Sequence, residues 1–221
     1  ELLQHRKDNL LPCFVIWKIL LNKSMSIHLI HRGLAKKNFK ENTIKSFKYS
    51  FKKKYGIEAD LHATKDNQIV CFHDFTLKRK FKLNKKIKDI NYSDLKKLSK
   101  KKKAEIPLLK DLLKISKNKH SLLFEIKPLF ERKNLLHLIK LTKRTKKYGL
   151  ISFKEKNLIN LYKINKKLPL GLLFLASASF KKIKIKSKKK YVKFLVLEKK
   201  FLSNKSINLI KKRIYYYTIK N

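Results

Sequence analysis

The chain has 221 residues, 43% of them hydrophobic and 33% charged, and Lys plus Arg outnumber Asp plus Glu by 59 to 15, for a net charge of +44. That length and apolar content exclude a disordered chain and leave room for one sizeable core. Only six of the bases are Arg, so no specific nucleic-acid partner is expected, because recognition of bases and phosphates favours the Arg fork.

Most of the lysine excess reads as compositional drift: Lys, Ile, Asn and Phe are abundant, and Gly and Pro number four each. A positive field still attracts anionic substrates and anionic membrane surfaces. The two cysteines, Cys13 and Cys71, show neither metal-ligand spacing nor a disulfide framework. A reducing, cytoplasmic setting is the expectation, with membrane association as the variant.

Residues 1–24 carry a basic start and an apolar run of about a dozen residues, too short to span a bilayer. Three readings stay open: a segment outside the fold, an interfacial helix or weak anchor, and an export signal. Residues 25–221 read as a single domain. Short apolar runs recur along it, at Ile27–His31, Gly56–Leu61, Ile69–His73, Leu122–Ile126, Leu150–Phe153, Leu170–Phe174, Phe194–Leu197 and Tyr215–Ile219. Between most of them lie stretches with helical spacing, such as Ile44, Phe47 and Phe51, or Leu135, Leu138 and Ile139. Strands alternating with helices predict parallel βα units, and eight strands predict an α/β fold of the (β/α)8 barrel type. No sequence remains for an eighth helix, so two readings stay open: a barrel that lacks its final outer helix, or a clipped chain. Residues 78–105 form a polar insertion with one short helix expected near Tyr92–Leu98, either a solvated excursion or part of a lid.

Several strands end in reactive side chains. Glu58 and Asp60 are two apart, so a strand points both the same way, and at the C-terminal end of a barrel strand that way leads to the mouth. Two adjacent carboxylates repel unless neutralised, and a hard cation such as Mg²⁺ or Ca²⁺ prefers oxygen ligands. Pairing of Glu58 with a lysine and capping of a helix by Asp60 is the bland alternative. His31 ends the first strand and is followed by Arg32; His73 ends the third. A general base and a general acid could be drawn from these two histidines. Glu125 and Lys127 end the fourth strand: Glu125 could complete the oxygen set, and Lys127 with Arg32 could hold a phosphate. His28, His62, His120 and His137 fit no such pattern; His62 reads as a loop or packing residue.

The series HRG (31–33), ENT (41–43), GIEADLHATKDNQIVCFHDFTLKR (56–79), IPLLKDLL (106–113), LLFEIKP (122–128) and YTIKN (217–221) closely resembles the glycerophosphodiester phosphodiesterase family. The resemblance implies a TIM barrel that hydrolyses glycerophosphodiesters to glycerol 3-phosphate and an alcohol with one divalent cation. It implies His31 and His73 as the acid–base pair, and Glu58, Asp60 and Glu125 as metal ligands. Arg32 and Lys127 would hold the phosphate, with Glu41 in support. Asn67 stands where the family has Gly, in a left-handed turn that Asn tolerates. Tyr217 and Lys220 replace Trp and Asn of the closing signature, and the region from Ser177 to Lys190 implies a short helix. Two alternatives remain open: phospholipase D-like action on lysophospholipid or sphingomyelin at a membrane, and a non-catalytic basic binding protein on the same barrel.

Overall fold

A computed structural model describes residues 14–17, 27–35 and 40–219. Among the described residues nine strands form one sheet: β1 (Phe14–Trp17), β2 (Ile27–His31), β3 (Gly56–Ala63), β4 (Ile69–Cys71), β5 (Leu122–Ile126), β6 (Tyr148–Ser152), β7 (Leu170–Phe174), β8 (Phe194–Glu198) and β9 (Arg213–Ile219). Seven of them, β2, β3 and β5 to β9, run parallel in ring order. Between β9 and β2 lies β1, antiparallel to both, so the eighth stave is not a parallel one. The architecture is that of a (β/α)8 barrel with part of the regular ring missing. Most of residues 1–24 lie outside the described residues; Phe14–Trp17 is the exception.

One expected stave is misplaced. Ile69–His73 was to be the third barrel strand, but β4 stops at Cys71 and pairs antiparallel to β3, off the ring. The reason lies in the turn. Thr64 Oγ1 accepts from the Gln68 amide at 2.9 Å and donates to Asp66 at 2.6 Å, while Asn67 takes a φ of 62°. This folds the chain straight back, whereas a parallel strand needs a crossover of about a dozen residues.

The helices are α1 (Ile44–Lys52), α2 (Lys78–Phe81), α3 (Tyr92–Lys101), α4 (Leu109–Ser116), α5 (Arg132–Thr142), α6 (Glu155–Ile164) and α7 (Phe180–Ser187). Thr43 starts α1 through a reciprocal box with Ser46: each side chain accepts from the other's backbone amide, both at 3.2 Å. The short α7 matches its lysine-rich sequence. The insertion is no solvated excursion. Phe72, Leu77, Phe81, Ile87, Ile90, Leu95 and Ile106 bury one another in a satellite core that leans on β4.

Period two along each strand divides the side chains between two cores. Outward residues such as Ile57, Phe124, Leu150, Leu172 and Leu197 pack under the helices against Phe47, Leu109, Leu135, Leu158 and Ile183. Inward residues Leu29, Leu123, Ile151, Leu173, Phe194, Val196 and Tyr215 fill the barrel. The Phe194 ring occupies the space left by two glycines: a Cβ on Gly171 would lie 2.1 Å from it and one on Gly149 2.9 Å.

Candidate active site

The inward pattern changes character near the C-terminal ends of β2, β3 and β5. There it delivers His31, Glu58, Asp60 and Glu125, while β6, β7 and β8 continue with Ile151, Leu173 and Val196. The mouth is thus half ionic and half apolar.

After His31 the chain turns sharply. Arg32 takes φ 58° and Gly33 φ 75°. A Cβ on Gly33 would meet Ser46 Oγ at 2.7 Å, so α1 can approach only a glycine. The Arg32 amide donates to the Glu58 carbonyl at 3.0 Å and lies 3.3 Å from Glu58 Oε2. Its guanidinium turns back over the mouth, with Nε 3.1 Å from Asp60 Oδ2 and Nη1 3.0 Å from Glu41 Oε2. Each residue of ENT has a separate task. Glu41 pairs with Arg32, Asn42 Nδ2 donates to Asp60 Oδ2 at 2.9 Å, and Thr43 caps α1.

Glu58, Asp60 and Glu125 are buried, with exposures of 4%, 0% and 8%. One carboxylate oxygen of each lies within 4.8 Å of the others. Lys127 Nζ bridges two of them, 2.9 Å from Glu125 Oε1 and 3.5 Å from Asp60 Oδ1. Three carboxylates therefore face two cations. Burial, then the charges of Asp60 and Glu125, holds the Glu58 carboxyl well above its ordinary range. Burial and Asp60 push Glu125 up as well. Burial opposes the charge on Lys127, but Asp60 and Glu125 outweigh it and raise its pKa. The cluster is short of positive charge, and Asp60 Oδ1 has no hydrogen-bond partner.

The histidines differ. Burial, helped by Arg32, lowers His31 to about 4, so its ring is neutral near pH 7. Its Nε2 lies 4.0 Å from Glu58 Oε2. His73 lies two residues beyond β4, not at a strand end. Its Nδ1 is 2.8 Å from Asp74 Oδ1, and Arg79 of α2 grips the same carboxylate, with Nε donating to Oδ2 at 2.6 Å. Arg79 Nη2 also donates to Glu41 Oε1 at 2.7 Å. An unbroken chain of contacts thus runs from His73 through Asp74, Arg79 and Glu41 to Arg32 and Asp60. Burial opposes ionisation of Glu41, but the hydrogen bond from Arg79 and the charge of Arg32 bring its pKa down to about 2.

His31, Arg32, Glu58, His73, Glu125 and Lys127 line one cavity of about 200 Å³, faced by Leu123, Ile151, Phe153, Leu173, Val196 and Tyr217. Asp60 lies beneath it and Glu41 beside it. Of the four histidines set aside, His62 is buried on the same face of β3 as Asp60 and packs edge-on against Phe72 and Phe75, a packing role as expected. Sequence reasoning missed Asn42, Asp74 and Arg79. Asn42 and Asp74 each adjoin a residue that was singled out, and Arg79 closes the FTLKR run.

A barrel with acids, bases and cations gathered at the C-terminal ends of its strands belongs to the class of TIM-barrel enzyme scaffolds. The profile of the Glycerophosphoryl diester phosphodiesterase family matches residues 31–210, and the chain belongs to that family. The solved glycerophosphodiester phosphodiesterase from Thermotoga maritima is 25% identical, with a TM-score of 0.73 over 87% of this chain and 85% of that one. An Oleispira antarctica phosphodiesterase, solved with the product sn-glycerol-3-phosphate, is 20% identical at a TM-score of 0.73 over 86% and 83% of the two chains. At that identity the likeness speaks for the fold. Lysophospholipase D GDPD1 of Homo sapiens is 42% identical over 72 residues, 32% of this chain and 23% of the human one. The match thus spans about a quarter of the length of that curated relative.

Proposed function

We propose that the protein hydrolyses glycerophosphodiesters to sn-glycerol 3-phosphate and an alcohol, with residues 25–221 as the barrel domain and Phe14–Trp17 joining its sheet between β9 and β2. The observation that carries this reading is the convergence of two histidines, two cations and two of the three acids on one cavity, with the third acid just beneath. Glu58, Asp60 and Glu125 fit one divalent cation, Mg²⁺ or Ca²⁺: all three offer oxygen, the cluster lacks positive charge, and Asp60 Oδ1 accepts no hydrogen bond. Such an ion, when bound, supplies Lewis-acid polarisation of a phosphoryl oxygen.

The chain's own residues account for the rest. Arg32 and Lys127 bind the phosphate and offset the charge that builds on its oxygens during displacement. Both are themselves anchored on Asp60, so they are held in place before substrate arrives. His31, neutral through burial, offers a lone pair to the attacking hydroxyl, either water or the substrate's own glycerol hydroxyl; in the second case the cyclic phosphodiester that forms is then opened by water to give glycerol 3-phosphate. His73, its Nδ1 held by Asp74, passes a proton from Nε2 to the departing alkoxide. Glu41 fixes the Arg32 guanidinium. The apolar wall of Ile151, Phe153, Leu173 and Val196 offers a surface for the acyl chain that a lysophospholipid carries on its glycerol, which favours lysophospholipids as a second substrate class and agrees with the name of the human relative.

The test is turnover of glycerophosphocholine and lysophosphatidylcholine by the purified chain, with chelator and with added Mg²⁺ or Ca²⁺. His31→Ala and His73→Ala should each abolish turnover without changing the circular dichroism spectrum. Substantial activity in either variant overturns the acid–base assignment. Indifference to chelation removes the cation role from the three acids.

A further inference from the structure

Among the described residues, nine large apolar side chains are exposed, and they are not scattered evenly. Five lie at the mouth, four of them after staves adjacent in the ring and one after the off-ring strand β4. Phe75 follows β4, Leu129 follows β5, Phe153 follows β6, Leu175 follows β7 and Leu202 follows β8. Their exposures run from 36% for Phe153 to 58% for Leu175. Because β5 to β8 are parallel, these loops share one end of the barrel, and Phe75 reaches it by packing on His62 above Asp60. The other four sit elsewhere: Leu83 in the insertion, Leu136 on α5, Ile185 on α7, and Leu209 ahead of β9 at the opposite end.

Isolated exposed leucines are ordinary, but a crescent of them around a catalytic mouth is a surface that water does not favour. Exposed lysines flank it: Lys86, Lys88 and Lys133 share a cavity lining with Phe75 and Leu129, Lys154 adjoins Phe153, and Lys199 and Lys200 precede Leu202. We infer that this crescent is an interfacial docking surface for an anionic phospholipid bilayer, laying the mouth of the barrel against the lipid. Charge supplies attraction and the apolar crescent supplies orientation. With a net charge of +44 the chain is drawn to any anionic surface, but lysines on every side cannot select which face meets it. Apolar side chains that enter the headgroup boundary can, since among the described residues only one end of the barrel carries a row of them. A site facing the bilayer could take a single-chain lipid without first drawing it into water. That consequence rests on the catalytic reading; the docking surface does not.

The experiment is co-sedimentation of the full chain with phosphatidylcholine vesicles doped with phosphatidylserine, against phosphatidylcholine alone. The wild-type chain should bind the doped vesicles much more tightly. Leu175→Ser with Leu202→Ser, two residues outside the catalytic cavity, should weaken that binding by about twenty-five-fold, from about five-fold for each exposed leucine. Leu136→Ser with Ile185→Ser, on the outer helices, should leave it unchanged. Turnover of soluble glycerophosphocholine by the Leu175/Leu202 variant should equal that of wild type. Thermal melts confirm folding, and the single Leu175→Ser variant replaces the pair if the pair unfolds. Equal effects of the two pairs, no effect of the mouth pair, or no binding to doped vesicles overturns the proposal. So does an equal loss of affinity for duplex DNA, which would make the crescent a surface for nucleic acid. Vesicle binding is read without turnover, so its failure leaves the catalytic reading intact.

Discussion

Replacing Lys127 by Met tests the charge balance of the acidic cluster directly. The lysine side chain is 11% exposed and bridges Glu125 at 2.9 Å and Asp60 at 3.5 Å. Its loss leaves three buried carboxylates facing Arg32 alone. Removing one partner of a buried ion pair costs about 3–5 kcal/mol. For a domain of this size each kcal/mol moves the melting temperature by about 2–4 °C. Lys127→Met in chelator should therefore melt roughly 6–20 °C below wild type, towards the low end where Glu58 or Glu125 takes up a proton instead. A divalent cation should then restore stability, because it supplies the missing charge. At a hundred times its dissociation constant the gain is about 2.7 kcal/mol, and the variant should gain at least as much as wild type. Calorimetric melts in chelator, in Mg²⁺ or Ca²⁺, and in NaCl of equal ionic strength separate specific binding from screening. A depression under about 2 °C, or rescue by NaCl equal to that by the divalent salt, refutes the view that the cluster lacks positive charge.

Arg79→Gln should lower kcat by about ten-fold or more, within the range expected when a general acid loses its placement, with a smaller effect on KM; Arg79→Lys should recover part of it. Equal activity of all three proteins would show that the contacts to Asp74 and Glu41 do not position His73. Glu41→Gln tests stability against acid. The folded carboxyl titrates at about 2 and the ordinary one at 4.5, so its contribution is complete above about pH 4.5 and lost as pH falls towards 2. Screening of a side chain 25% exposed reduces the gross value, leaving ~1–2 kcal/mol. The variant's melting temperature should fall less steeply than wild type between pH 5 and pH 2–3, and parallel curves would refute the assignment. Gly171→Ala should destabilise by about 1–3 kcal/mol through overpacking against the Phe194 ring, measured by urea unfolding; a neutral substitution would mean the ring has room to move.

The parts of the fold legible in the sequence were those that depend on local period. Two-residue spacing placed Glu58 with Asp60 and Glu125 with Lys127 on shared faces, and helical spacing found α1 and α5. Where reading failed, the answer lay in how segments meet. The run at Ile69–Cys71 looks like any barrel strand, and only the tight Thr64–Gln68 turn decides that it folds back. Phe14–Trp17 gives no local sign that it pairs with β2 and β9. Arg79 and Glu41 lie 38 residues apart and meet only because the insertion packs a core of its own beside β4. Lysine abundance hid Lys80 in the same way: its ammonium lies 3.6 Å from Glu41, yet its sequence neighbours are indistinguishable from many others.

The division of the mouth into ionic and apolar halves is also a division of the coding sequence. Every charged side chain that lines the cavity comes from residues 31–127, and the wall from Ile151 through Val196 comes after them. A substitution in the later stretch can deepen, narrow or tilt the wall without moving a carboxylate, a guanidinium or an imidazole. What the site accepts can therefore drift across generations at its own pace, while what it does to a phosphate stays under the separate control of the first half of the barrel.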